Sequence, residues 1–137
     1  MKQIIKLLTL FILVLTFASC SKGSGGGDDT PAPQETNLVI SFNPEPAGGL
    51  NQTMGATYTF NVVVQSTMPA QGVTIKVDYV KDSGGSVFTQ TQTSTAASTA
   101  ITINSIPFNE VGTVTVVVAS ISKPSNTTTH TFKLVRK

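Results

Sequence analysis

Apolar and polar residues alternate in short runs along the chain from residue 37 onwards. The clearest run has Val73, Ile75, Val77 and Tyr79 on one side, with polar residues between them. A period of two is that of a β-strand, whose successive side chains point to opposite faces of a sheet. Val and Thr are abundant in these runs, and β-branched residues fit a pleated sheet better than a helix. We therefore predict an all-β domain.

Prolines and glycines separate the runs and so define their number. Seven runs are predicted as strands, at residues 37–43, 57–65, 73–79, 87–92, 101–103, 113–121 and 127–135. Every proline of this region falls between two runs, as expected because proline lacks the backbone donor that a sheet requires. Seven short strands at regular spacing predict an immunoglobulin-like β-sandwich, with a meander barrel of similar strand count as the alternative.

The composition of individual runs predicts their places in the sheets. Residues 113–121 (TVTVVVASI) are the most continuously apolar and are predicted to form a central strand buried on both faces. Residues 87–92 are rich in Thr and Gln, which is typical of an edge strand, and residues 38–42 are the second edge candidate. Either edge could pair with a strand of a partner.

A different pattern precedes this domain. Lys2 and Lys6 form a positive region before an apolar run at residues 7–17, and that run is too short for a helix that spans a bilayer. Small residues follow, and then Cys20, the single cysteine of the chain, which has no partner for an internal disulfide. Residues 1–19 are therefore predicted to be a signal peptide. An ordinary secretory signal and an uncleaved anchor are the alternatives.

The leader and Cys20 together resemble the signal of bacterial lipoproteins. The resemblance implies cleavage before Cys20, a diacylglyceryl group on its thiol and acylation of the new amine. Two or more acyl chains hold a protein stably on a bilayer. The resemblance thus implies a lipid anchor in the bacterial envelope, at the outer membrane.

Residues 20–36 form a predicted tether that joins the lipidated cysteine to the domain at residues 37–137. After Cys20 the tether contains no apolar residue larger than Ala, so it cannot join a core. Asp28 and Asp29 resemble the surface-export signal of Bacteroidota lipoproteins, which implies exposure on the cell surface. The alternative is a pair of solvated linker charges on a protein that faces the periplasm.

A second resemblance concerns residues 108–118, which read FNEVGTVTVVV. The stretch is similar to the penultimate strand of bacterial immunoglobulin-like and polycystic-kidney-repeat domains, where a glycine precedes an alternating strand. Val114 stands where tyrosine is common in that family, so a tyrosine corner is not expected. The resemblance implies a fold and not a function.

Charge excludes one class of partner. The chain has nine basic and seven acidic residues, and Lys2 and Lys6 belong to the predicted leader, so residues 20–137 are formally neutral. Nucleic-acid-binding proteins carry a basic patch or stripe. We therefore predict no nucleic-acid partner.

The residues that could support catalysis or metal binding are few. His130 is the only histidine, and no base-orienting group is predicted beside it. Asp78 and Asp82 could form a carboxylate pair, and with Glu110 a calcium site, but their spacing matches neither an acid–base pair nor a calcium loop. One histidine without a free thiolate does not suit zinc. We predict no catalytic residue, no metal site and no cofactor.

The sequence leaves the molecular function open between two classes. The leading hypothesis is an envelope-anchored, non-enzymatic lipoprotein that presents its domain to a protein or glycan. The alternative is an accessory subunit of an envelope assembly such as a conjugation, fimbrial or uptake complex. An enzyme is disfavoured. Tyr58 and Tyr79 share the parity of core residues, which argues against an aromatic platform for sugars, and no ligand-binding residue is predicted.

Overall fold

The computed structural model describes residues 34–137. In this part of the chain all regular structure is β, in eight strands: β1 (Ile40–Asn43), β2 (Leu50–Thr53), β3 (Tyr58–Val64), β4 (Val73–Lys81), β5 (Ser86–Ser94), β6 (Ser98–Ile103), β7 (Val111–Ser120) and β8 (Thr127–Arg136). The predicted signal peptide, Cys20 and the Asp28–Asp29 pair lie outside the described residues.

The strands form two sheets packed face to face. One sheet has the order β1-β3-β6 and the other the order β2-β8-β7-β4-β5. Neighbours are antiparallel except β2 and β8, which are parallel. The first two strands of the domain belong to different sheets: β1 pairs with β3 in one sheet, and β2 pairs with β8 in the other. The immunoglobulin-like sandwich is thereby confirmed, and the barrel alternative is wrong.

The eighth strand, β2, was not predicted because its residues carry no apolar alternation. Its one buried side chain is Asn51. The amide of Asn51 donates to the Lys133 carbonyl at 3.0 Å and accepts from the Ala47 N–H at 2.8 Å. Side-chain hydrogen bonds and a long-range parallel pairing therefore hold β2, and a local hydrophobic pattern reveals neither.

The core fills the space between the sheets. It contains Tyr79, which is fully buried, and aliphatic residues from β3, β4, β6 and β7. At one side Phe42, Phe60 and Phe132 meet edge to face, with ring centroids 5.6–6.0 Å apart. Edge-to-face contact aligns the positive edge of one ring with the negative face of the next. Tyr58 packs against this cluster, so both tyrosines serve the core as predicted.

Strand positions agree with the predictions in three cases and differ in one. β7 is the central strand of the five-stranded sheet, and β5 and β1 are edge strands. The prediction that β7 is buried on both faces is wrong. Its side chains alternate between buried and half-buried because no layer formed by residues 34–137 covers the outer face of this sheet.

The connections between strands gather at two ends of the sandwich. We call the end formed by residues 65–72, 95–97 and 121–126 the near pole, where Ile121 N–H bonds to the Gly72 carbonyl at 3.1 Å. We call the end formed by residues 54–57, 82–85 and 104–110 the far pole. There the Ile106 N–H bonds to the Ala56 carbonyl at 2.9 Å.

Candidate functional site

The chain enters the domain at the near pole, where Glu35 is held by the β7–β8 connection. Its carboxylate accepts from the Ser120 hydroxyl at 3.0 Å, from the Asn126 amide at 3.2 Å, and from the Ser122 hydroxyl. These hydrogen bonds, that of Ser122 first, together with the charge of Lys123, hold the pKa of Glu35 below its ordinary value. All residues that precede Gln34 are consequently joined to the domain at this end.

The far pole carries the two most exposed large apolar side chains of residues 34–137. Met54 is 84% exposed and Phe108 is 67% exposed. Both flank Arg136 of β8. Phe108 forms a β-bridge with Arg136, and Thr53, which precedes Met54, pairs with Arg136 from the opposite side. Folding therefore places two residues 54 positions apart in sequence on one end of the molecule.

The far-pole residues are fixed by the backbone and by polar contacts. The Arg136 guanidinium carbon lies 5.9 Å from the centroid of the Phe108 ring, within the range of a cation–π contact. The Asn109 N–H donates to the Arg136 carbonyl at 2.8 Å, and the Lys137 ammonium donates to the Asn109 side-chain oxygen at 3.0 Å. Asn109 also has a φ of 58°, and Ser105 one of 60°.

Positive φ at two non-glycine residues indicates a loop shape that the surrounding contacts impose. Phe108 is thus presented outward by a fixed loop. We call Met54, Phe108, Asn109, Arg136 and Lys137 the far-pole patch. Arg, Met and aromatic residues are enriched at protein interfaces, and Arg is among the residues that contribute most to their binding energy. The patch thus combines residue types that are common in protein interfaces.

His130 lies in a cleft of about 310 Å³ between β8 and the β1–β2 connection. It shares the inward parity of Phe132 and Leu134, yet it is exposed, because the chain crosses from one sheet to the other here and leaves a gap. The imidazole stands edge to face against Phe42 with centroids 5.5 Å apart. Among the described residues no hydrogen bond joins it to a carboxylate or hydroxyl, so no base-orienting partner is in place for catalysis.

Each of the three carboxylates considered for chemistry lies beside its own lysine. Asp78 pairs with Lys76 at 2.9 Å, Asp82 with Lys133 at 2.7 Å, and Glu110 with Lys81 at 3.3 Å. The hydrogen bond from Lys76 lowers the pKa of Asp78, and that from Lys133 lowers the pKa of Asp82. Within residues 34–137, no three His, Cys, Asp or Glu side chains converge on a point that could hold a metal.

A second cleft, of about 400 Å³, lies at the near pole. Residues 34–36 form one wall, and Met68, Pro69 and Ala70 form the other. One wall of this cleft is thus the segment through which the chain enters the domain.

Comparison with known proteins adds no assignment. No protein-family model matches the chain, and no curated protein matches it. Within residues 34–137, no helix is long and apolar enough to cross a membrane.

The sequence analysis missed both apolar residues of the far-pole patch. A signal for each is visible in retrospect. Phe108 follows Pro107 and precedes Asn109, and Met54 precedes Gly55, so each is a large apolar residue inside a stretch of turn-forming residues. Such a residue is either buried under a loop or presented to a partner, and only the fold distinguishes these cases.

Proposed function

We propose that the protein is an envelope-anchored, non-enzymatic lipoprotein whose immunoglobulin-like domain binds a protein partner through the far-pole patch. The supporting observation is the position of the patch relative to the point of attachment. The chain enters at the near pole through Glu35, whereas Met54 and Phe108 are exposed at the opposite end. A domain tethered at one end presents the other end to its surroundings.

A protein suits the patch better than a glycan does. Sugar sites commonly stack a pyranose ring on a flat Trp or Tyr face. In the far-pole patch the guanidinium of Arg136 lies over the Phe108 ring, and Tyr79 is fully buried in the core. An aromatic ring, a thioether and an Arg in one place form the kind of anchor that is buried in a protein interface.

The anchor is tested by labelling growing cells with a radioactive fatty acid. We expect label on the intact chain and none on Cys20→Ser. Protease treatment of intact cells then tests the location. Release of the folded domain by cleavage within residues 21–36 would support surface exposure. Protection in intact cells, followed by cleavage after lysis, would place the protein on the periplasmic side and exclude surface export.

The partner site is tested by a photo-crosslinking amino acid at Met54 in cells. We expect one adduct of defined mass, which disappears when Phe108→Ser is added. The matched control position is Val39, which is 56% exposed but lies outside the far-pole patch. Adducts of equal yield from both positions, or an adduct insensitive to Phe108→Ser, would contradict the proposed site.

An accessory subunit of an envelope assembly is the second candidate function. The observation in its favour is β5, which is nine residues long and lies at the edge of the five-stranded sheet. Such a strand can be extended by a partner strand. Migration of the chain in a large complex after mild detergent extraction, unaffected by Phe108→Ser, would favour this candidate over the first.

A further inference from the structure

The edge strand β5 lacks the features by which sheet edges normally avoid pairing. Natural edges are short or carry charges, prolines or bulges. The other edge strands are short, with four residues in β1, four in β2 and six in β6. β5 has nine residues and contains no charged residue and no proline. One register irregularity affects its first residues, opposite Tyr79 and Val80, and leaves Phe88 to Ser94 regular.

The regular part of β5 has a palindromic sequence. Residues 89–93 read Thr-Gln-Thr-Gln-Thr. The three threonines are exposed on the outer face of the sheet, and the two glutamines are half-buried on the inner face. If two copies of this strand pair antiparallel with Thr91 at the centre, each threonine therefore lies opposite a threonine and each glutamine opposite a glutamine.

We propose that β5 pairs antiparallel with β5 of a second copy of this chain, around a two-fold axis at Thr91. The pairing places Thr89 opposite Thr93 of the partner subunit, and Gln90 opposite Gln92 of the partner subunit. Cross-strand Thr–Thr pairs stabilise antiparallel sheets. The glutamine amides are already engaged within each copy, because Gln90 Nε2 donates to Gln92 Oε1 at 2.7 Å and Gln92 Nε2 donates to the Ala100 carbonyl at 3.5 Å, so the backbone and the threonines carry the pairing. No like charges meet, because residues 86–94 carry none.

This arrangement closes on itself. Each copy uses the same edge, so the interface is isologous and ends at two subunits. The two five-stranded sheets become one sheet of ten strands, with the near poles of the two copies at opposite ends. The far-pole patch takes no part in the interface. Failure of the dimer and failure of the far-pole site are therefore distinguishable, whereas a β5 edge occupied by a second copy is closed to the strand of an assembly partner.

Cysteine cross-linking of the full chain tests the register. Thr91→Cys is compared with Thr129→Cys, an exposed threonine on the outer face of β8 in the same sheet, and the parent chain gives the background from Cys20. Opposed residues of paired strands lie within the Cα separation that a disulfide requires. After mild oxidation of membranes, we expect Thr91→Cys to double in mass on a non-reducing gel and Thr129→Cys to match the parent.

Two further single variants distinguish this geometry from other contacts. Thr89→Cys and Thr93→Cys are each expected to give no dimer above the parent, whereas their co-expression gives the mixed dimer. If Thr89→Cys alone formed as much disulfide-linked homodimer as Thr91→Cys alone, the proposed antiparallel register would be wrong. A Thr91→Cys signal no stronger than that of Thr129→Cys would overturn the interface.

Sedimentation of the detergent-solubilised chain provides a measurement free of thiols. Thr91→Lys places two ammonium groups opposite each other at the centre of the pairing, and like charges directly opposed destabilise a sheet. We expect the parent and the control Thr129→Lys to sediment as dimers and Thr91→Lys as a monomer. A parent chain that is monomeric over the whole concentration range would refute the proposal.

Discussion

The side-chain amide of Asn126 pairs with the backbone of Leu38. The Leu38 N–H donates to Asn126 Oδ1 at 2.9 Å, and Asn126 Nδ2 donates to the Thr36 carbonyl at 2.9 Å. The side chain of Asn126 thus satisfies the carbonyl of residue 36 and the N–H of residue 38, as a neighbouring β-strand would. Asn126 is only 8% exposed, and its own N–H is held by the Lys123 carbonyl at 2.8 Å. The β7–β8 connection thereby fixes the point at which the chain enters the domain.

Replacement of Asn126 by Ala should therefore destabilise the domain. The substitution leaves the N–H of Leu38 and the carbonyl of Thr36 without their partner, and an unsatisfied buried polar group costs about 1–3 kcal/mol. We expect the free energy of unfolding in urea to fall by about that amount. The first residues of the domain should also become sensitive to protease at concentrations that leave the parent intact.

The matched control for this variant is Asn104→Ala. Asn104 is exposed and makes a single weak contact with the Thr102 carbonyl at 3.4 Å, so its loss should change stability by no more than about 0.5 kcal/mol. Asn126→Asp offers a second comparison, since it retains the acceptor for Leu38 but removes the donor to Thr36. Equal stability of Asn126→Ala and Asn104→Ala would show that the amide does not hold the chain.

The contact of Glu35 with the same connection predicts a dependence of stability on pH. The pKa of Glu35 in the folded protein lies below its ordinary value of 4.5, because Ser122, Asn126 and Ser120 donate hydrogen bonds to the carboxylate. The unfolded chain therefore binds the proton more tightly. The contribution of Glu35 is complete above pH 4.5 and is lost as the pH falls through the lower, folded-state pKa.

Glu35→Gln should remove this contribution. Unfolding by urea, measured at several pH values, should show the largest difference between parent and variant above pH 4.5 and a shrinking difference below it. Ser122→Ala should flatten the same pH dependence in part, since Ser122 is the largest cause of the shift. A difference that does not change with pH would mean that the carboxylate charge plays no role.

A strand of this fold could be predicted from sequence when it buries an apolar face, and could not be predicted when distant hydrogen bonds hold it. Strands β3, β4 and β7 bury one face each, and their alternation was visible because burial and periodicity coincide. β2 was not visible, since its buried residue is Asn51 and its pairing with β8 joins residues more than 80 positions apart. Local patterns report burial of apolar side chains and carry no information on such a pairing.

Errors about exposure have the same origin. Burial of β7 on both faces was inferred from its apolar composition, but composition does not reveal whether a second layer covers the sheet. His130 shares parity with Phe132 and Leu134, yet it is exposed at the gap where the chain changes sheets. The far-pole patch escaped prediction for a different reason. Phe108 lies outside every predicted run, so periodicity assigned it neither to the core nor to the surface.

The aromatic cluster provides a prediction about the core. Phe60 is 1% exposed, and its ring centroid lies 5.6 Å from those of Phe42 and Phe132. Phe60→Leu loses two edge-to-face contacts, each worth about 0.5–1.5 kcal/mol. We expect the free energy of unfolding to fall by about 1–3 kcal/mol, measured by chemical denaturation.

The same substitution at Phe108 is the control for Phe60→Leu. The Phe108 side chain is 67% exposed, so its contribution to folding should stay within about 0.5 kcal/mol. A large loss of stability in Phe108→Leu would indicate that Phe108 supports the fold and would weaken its assignment to a binding surface.

Gly112 is required by the ring of Tyr79 on the neighbouring strand. A Cβ at position 112 would lie 2.8 Å from Tyr79 Cζ and 2.7 Å from the carbonyl oxygen of Val80, closer than real Cβ contacts. Tyr79 is fully buried and its hydroxyl donates to the Leu134 carbonyl at 3.4 Å, so the ring has no free space into which to move. Gly112→Ala should therefore reduce the free energy of unfolding by about 1–3 kcal/mol, the usual cost of overpacking.

A double-mutant cycle can separate the clash with the Tyr79 ring from the clash with the Val80 carbonyl oxygen. Tyr79→Leu removes the ring, so Gly112→Ala should cost less in its presence, although the contact with Val80 remains. Gly49→Ala is the matched control, because no atom lies within 4 Å of its Cβ position and its φ is not positive. Additive effects in the cycle, or an equal loss in Gly49→Ala, would show that the ring of Tyr79 does not dictate glycine at position 112.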